Sequence, residues 1–296
     1  MDRDEILARS FEEQRGHLRA VAYRTLGSLS EADDAVQEAW LRLSAAGTSG
    51  VENLPGWMTT IVARVSLNLL RSRVTRREDA LDTHVPDPVL DGLDGSDPEH
   101  EALLADSVGL ALMVVLDTLP PAERLAFVLH DMFAVPFDDI APIVDRSVAA
   151  TRQLASRARR RVRGAATPDA ELARQHEVVE AWMAASRGGD FEALLALLDP
   201  DVVLRVDYGA VSAGTSRLVL GARAVAERAT VFARFGRSAR PVLVNGALGL
   251  LTTSEGQVFS LMALTITDGR IVEINILADP TRLPALVPPV LVPPSP

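Results

Sequence analysis

The hydrophobic period changes part-way along this chain, and that change limits what it can fold into. Up to about residue 163 the apolar residues recur at the spacing of a helix face. After about residue 200 they alternate or run in short blocks, punctuated by Gly256 and Asp268–Gly269. Helices first and a strand meander last predicts helical domains followed by an α+β domain. Leu18, Val21, Ala22, Thr25 and Leu26 mark a helix that stops at Gly27. Ser30, with Asp33 three residues on, reads as the cap of a second helix, which turns Ala35, Val36, Ala39, Trp40 and Leu43 to one side. Trp57, Ile61, Val65 and Leu69 mark a third.

Prolines divide the rest. Pro120–Pro121 and Pro136 bracket a helix, and FDDIAPIV, a tight turn at Asp145–Arg146–Ser147 and VAATRQLASRARRRVR follow. A short helix, a tight turn and a basic helix read as a helix-turn-helix. The predicted boundaries are two all-α domains at 1–80 and 103–164, and an α+β domain with an antiparallel sheet at 170–285. Residues 81–102 are expected to be an acidic linker with no place in a core, because Pro86, Pro88 and Pro98 lie among many aspartates. The Pro-rich stretch 286–296 is expected to be an extended tail.

The net charge of −10 argues against a polyanion partner until it is resolved by segment. All 30 basic residues are arginine, and they cluster. Residues 81–120 carry −9 with no arginine, whereas residues 121–165 carry +3. Such asymmetry points to nucleic acid more strongly than the total does. Arg152, Arg157, Arg159, Arg160, Arg161 and Arg163 follow one another with no acid between them. Ser147 can cap their helix and leave its first N–H groups for a phosphate. Arg146, Ala150, Thr151, Arg152 and Gln153 then fall where a recognition helix meets a major groove, and Arg and Gln suit guanine and adenine edges. Arg157 and Arg160 suit phosphates. A second cluster holds Arg64, Arg71, Arg73, Arg76 and Arg77 near Trp57, an aromatic that could stack on an unpaired base or fill a core.

Other classes find little support. There is no cysteine, hence no disulfide or thiolate chemistry. No GxSxG, P-loop or HExxH occurs, and the five histidines lack ligand spacing, so no catalytic residue, metal or cofactor is expected. His130–Asp131 is read as structural. No secretory leader or membrane-spanning run is evident, which fits a cytoplasmic protein.

FEEQRGHLRAVAYRTLGSLSEADDAVQEAWLRL and LPGWMTTIVARVSLNLLRSR resemble region 2 of bacterial extracytoplasmic-function (group IV) sigma factors. LPPAERLAFVLHDMFAVPFDDIAPIVDRSVAATRQLASRARRRVR resembles their region 4. Residues 170–285 resemble the SnoaL-like cone, with its curved sheet, that the SigJ-like subgroup carries. The resemblance implies a partner, core RNA polymerase, contacted by Asp33, Asp34, Gln37, Glu38 and Arg42. It implies promoter DNA held at the −10 element by the 47–53 loop with Asn53, Trp57, Arg64, Asn68, Arg71 and Arg73, and at the −35 element by the 147–157 helix start. It also implies interdomain motifs at Pro86-Asp87-Pro88, Asp207-Tyr208-Gly209-Ala210 and Asp279-Pro280-Thr281-Arg282-Leu283, each departing from the family pattern at some positions. Promoter-specific initiation regulated by the C-terminal domain is the expected function. A SnoaL-like enzyme using Asp207, Tyr208 and His176, or a one-component regulator, are the alternatives, and either could place a small molecule in the C-terminal pocket.

Overall fold

The computed structural model describes residues 3–46, 51, 53–75, 83–93, 109–209, 216–232, 239–254 and 256–292. They fall into two compact units. A helical unit holds described residues 3–75 and 115–164, and a second unit holds 83–93, 109–114 and 165–292.

In the helical unit α1 (Arg3–Leu26), α2 (Leu29–Ala46) and α3 (Leu54–Thr75) pack on one another. Their inward stripes, among them Leu18, Val21, Leu26, Ala35, Leu43, Met58, Val62 and Leu67, are buried. Gly27 ends α1 at φ 72°. The cap of α2 is Ser28, two residues before the expected Ser30: its Oγ faces the Glu31 N–H at 3.5 Å. The Ser-x-x-Glu spacing therefore lies two residues upstream of the expected cap, and the Glu31 carboxylate turns away to Arg73.

The second block of this unit begins at Val115, within α4 (Leu110–Asp117), and continues through α5 (Pro121–Phe127), a π-helical turn at Val128–Met132, α6 (Phe137–Val144) and α7 (Val148–Val162). Pro142 sits inside α6 without ending it, and Asp145 turns the chain at φ 59°. The two helical blocks were expected as separate domains, but they share one unit: α3 packs on α5 and α6. Phe133 is the pivot, its ring meeting His17 edge-on at 5.3 Å and the Arg24 guanidinium at 4.9 Å.

The second unit is an α+β cone. α8 (Leu172–Gly188), α9 (Phe191–Leu197) and α10 (Ala222–Phe232) cover one face of a sheet. The sheet contains β1 (Leu90–Asp91), β2 (Leu198–Asp207), β3 (Arg217–Leu220), β4 (Ala239–Val244), β5 (Ala247–Ser254), β6 (Gln257–Thr267) and β7 (Arg270–Leu277), in the order β1-β4-β5-β6-β7-β2-β3. Asn245–Gly246 and Asp268–Gly269 are two-residue turns with positive φ at both positions, the geometry that matches strand twist. β2 lies parallel to β7, and the other described pairs are antiparallel.

Strand β1 corrects the sequence reading. Leu90 and Asp91, expected in a linker, pair with Val244 and Leu243 at the sheet edge. Every residue from Val85 to Asp91 is buried. The expected extended tail also packs: α11 (Leu283–Leu286) lies on β6, and Val287 and Leu291 are buried.

Candidate functional site

On α7 the Ser147 Oγ accepts the Ala150 N–H at 3.2 Å, closing the helix start as the sequence predicts. Thr151, Leu154, Ala155 and Ala158 face inward. Ala149, Arg152, Gln153, Ser156, Arg157 and Arg160 are exposed at spacings of three and four, a single outward face. Arg146 is exposed beside the helix start. Two residues differ from expectation. Thr151 is fully buried and donates to the Ser147 carbonyl, so it cannot touch a groove. Ala150 is half-buried, and Ala149 takes the outward place. Sequence reading missed Ala149 and Ser156 because neither carries a charged or two-pronged terminus of the kind that marks a base contact.

The later arginines are partly engaged. Arg157 and Arg161 both reach Glu123, each at 2.7 Å, and Arg159 reaches Asp131 at 2.5 Å. Arg160 is exposed. His130 stacks on Phe137 at 3.7 Å with Nδ1 3.0 Å from the Val135 carbonyl, a packing role as expected.

On α3 the exposed Arg64, Asn68 and Arg71 form one stripe at i, i+4, i+7. Trp57 is half-buried near the helix start, and exposed Asn53 caps the helix, its Oδ1 accepting the Gly56 N–H at 3.0 Å. Arg73 does not join this stripe. Its guanidinium grips the Glu31 carboxylate and donates to the Leu26 carbonyl at 2.9 Å, tying α3 to α1 and α2. Most of the 47–53 loop, with Arg76 and Arg77, lies outside the described residues. On α2, Asp33, Asp34, Gln37 and Arg42 are exposed, and Glu38 is half-buried. Asp33 is held by Arg19 through two bonds of 2.6 and 3.2 Å, and Glu38 pairs with Arg42. Leu41 stands 56% exposed in the same face. It was missed because one leucine outside an apolar stripe carries no periodic signal.

In the cone, strand alternation divides chemistry between two faces. Leu204, Val206, Tyr208, Ile274, Ile276 and Ala278 line a cavity. Arg205, Asp207, Glu273 and Asp279 point to the opposite face. There the three motifs expected to be interdomain meet, all of them within the second unit. Arg282 donates through Nε and Nη2 to Asp87 Oδ1 at 3.1 and 2.5 Å, through Nη2 to the Val85 carbonyl at 2.7 Å, and through Nη1 to Asp207 Oδ2 at 2.9 Å. Asp207 also accepts the Val85 N–H at 3.0 Å and the Gly209 N–H at 2.9 Å, and His84 Nδ1 lies 3.3 Å away. Asp279 accepts the Thr281 N–H and hydroxyl, shaping the turn that aims Arg282, while Pro280 is exposed. Farther along, Val89 exchanges both backbone-directed bonds with Asn245. Burial opposes charge on Asp207, but His84 and the Val85 and Gly209 N–H groups outweigh it and hold the carboxyl down at about 2. Gly209 sits at φ 77° against the Asp279 carboxylate, which occupies the space a Cβ would need. Pro86 and Pro88 are buried beside these contacts; Ala210 lies outside the described residues.

The residues proposed for an enzyme do not converge. Asp207 faces away from the cavity, His176 is exposed near Glu180, and Tyr208 alone of the three lines it. Among the described lining residues there is no carboxylate or histidine. No group of three or more His, Cys, Asp or Glu that could hold a metal occurs among the described residues. No described helix is long and apolar enough to cross a membrane.

A family model for Sigma-70 region 2 matches residues 11–76, and one for Sigma-70, region 4 matches residues 109–162. The ECF RNA polymerase sigma factor SigJ of Mycobacterium tuberculosis is 38% identical over 289 residues, covering 92% of this chain and 91% of the relative. The probable ECF RNA polymerase sigma factor SigI of the same organism is 31% identical over 290 residues, covering 97% and 98%. The crystal structure of SigJ matches with a TM-score of 0.75 at 36% identity, covering 94% of this chain and 98% of that one. With both blocks, the cone and more than nine-tenths of the length matched, the chain belongs to the extracytoplasmic-function RNA polymerase sigma factors.

Proposed function

We propose that this protein binds core RNA polymerase and directs promoter-specific initiation in the cytoplasm, with no catalytic step of its own. The observation that carries the reading is the outward face of α7: a capped helix start followed by Arg152, Gln153, Arg157 and Arg160 on one side. Arg152 and Gln153 read base edges at the −35 element, and Arg160 holds a phosphate. Arg64, Asn68 and Arg71, with Trp57, serve the −10 element, and the exposed face of α2 docks on polymerase.

The cone regulates by holding the connector between the two helical blocks. While Val85–Asp91 is bound to the sheet, that acidic segment is unavailable to a basic channel. Loading on polymerase therefore requires Arg282 to let go of Asp87. The cone's cavity gives a small-molecule partner a place to act on this step. Run-off transcription with purified core polymerase tests the reading. The full chain is expected to start transcripts at a matched promoter, and Arg282→Ala to change their yield. No transcript from any promoter recovered by selection with the polymerase–protein complex would refute it.

A further inference from the structure

The cavity in the cone is closed on three sides by different elements. Trp182 and Met183 come from α8, Val225 and Arg228 from α10, and Met262 from β6, around a cavity of about 100 Å³. That is space for several waters or one compact organic molecule. Among the described residues the walls are overwhelmingly apolar, with a few hydroxyls and one cation. The cation is Arg228. It is half-buried, and among the described residues it has no ion pair and no hydrogen bond. Its helix neighbour Arg223 is paired with Glu227 instead. An apolar chamber whose described wall holds a guanidinium with no described partner selects an apolar molecule that carries an anion.

The chamber also shares its backbone with the connector clamp. Tyr208 lines the cavity, and the preceding residue, Asp207, holds Val85 and Arg282 on the other face. Ala278 lines the cavity, and the next residue, Asp279, shapes the Arg282 turn. The two strand ends are joined directly, the Ala278 N–H donating to the Asp207 carbonyl at 2.7 Å. Anything that moves Tyr208 or Ala278 from inside moves the groups that hold the connector outside.

We propose that the cone binds a small apolar carboxylate, its anion on Arg228, and that occupancy alters the grip of Asp207 and Arg282 on the connector. The proposal rests on the regulatory reading above and names the ligand class for it. By linkage, whatever factor the ligand applies to the clamp, breaking the clamp applies to ligand affinity.

The test uses the full chain with benzoate, phenylacetate and 4-phenylbutyrate as probes and toluene as the uncharged comparison. Trp182 in the cavity wall reports binding by fluorescence once Trp40 and Trp57 are replaced by Phe. At least one carboxylate should give a saturable change, weakened on the order of tenfold or more in Arg228→Gln and largely retained in Arg228→Lys. Its affinity should also differ between the parent and Arg282→Ala, with a matching change in hydrogen exchange at the Val85 amide when ligand is added. No saturable change with any probe, or equal affinity in Arg228→Gln, overturns the ligand assignment. Equal affinity with and without Arg282 overturns the coupling. Transcription by the unliganded protein is scored separately, so a failed ligand leaves the sigma-factor reading standing, and failed transcription leaves the binding result interpretable.

Discussion

Arg282→Ala is the perturbation whose consequence follows most directly from the geometry. Arg282 places one cation between Asp87 and Asp207, both buried, and also caps the Val85 carbonyl. Removing one partner of a buried ion pair costs about 3–5 kcal/mol, because the remaining charge stays desolvated. The Arg282 side chain is 23% exposed, which favours the lower end, about 3 kcal/mol. That corresponds to on the order of a hundredfold more opening of the connector. The assay is native-state hydrogen exchange at the Val85 and Val89 amides, which donate to Asp207 and Asn245. Both should lose protection on that scale, while the Leu264 amide in the middle of the sheet keeps its own. Arg282→Lys should fall between, since an ammonium keeps the charge but not the forked geometry. Unchanged protection at Val85 in Arg282→Ala would show that Leu90 pairing and apolar burial hold the connector unaided. Loss at Leu264 as well would show that the cone unfolds as a whole.

Three further outcomes are expected. Arg152→Ala and Gln153→Ala should each cost about 1–3 kcal/mol in promoter binding by the polymerase complex, relaxing specificity at one position, whereas Arg160→Ala should weaken all sequences alike and flatten the salt dependence; competition binding across single-base promoter variants decides, and a uniform loss from Gln153→Ala would sink the base-reading role. Asp117→Asn should destabilise the helical unit by about 3–5 kcal/mol in urea unfolding, because Arg124 is completely buried and burial already lowers its pKa despite the Asp117 partner at 2.6 Å; a change under about 1 kcal/mol would contradict that accounting. Acid should loosen the cone late: Asp207 at about 2 against an ordinary 3.8 contributes about 2 kcal/mol that is fully present above pH 3.8 and lost as pH falls through about 2, so the urea midpoint of Asp207→Asn should depend less steeply on pH over that window than the parent's.

The parts of this fold legible in the sequence were those fixed by local period and local turns. The stripe from Leu18 to Leu26, the Ser147 cap and the Asp268–Gly269 turn each depend on residues a few positions apart, and each stands where the pattern predicts. The residues proposed to face DNA were legible as a cluster but not as a face. Arg73 and Thr151 look identical in composition to their outward neighbours, and only helix phase and a distant Glu31 turn them inward.

The connector was misread for a different physical reason. Its prolines and aspartates carry the composition of a solvated linker, and composition reports what a segment can do alone. Its partners lie far away in sequence: Val244 for Leu90, Asn245 for Val89, Arg282 for Asp87. The prolines that argue against a central strand are compatible with a short edge strand, where a missing donor costs no ladder bond. Asp87, whose charge argues against burial, is tolerated there because the Arg282 guanidinium answers it. This bears on how the regulatory role should be tested. Cutting away residues 170–296 removes more than a regulator, because it strips the cover from Val85, Val89 and Leu90 and leaves an apolar edge segment exposed in the remaining chain. A truncation that transcribes poorly would therefore report aggregation as readily as lost activation. Arg282→Ala opens the same contact while leaving the sheet in place to recapture the segment, so its transcription phenotype is the one that separates release of the connector from loss of the domain.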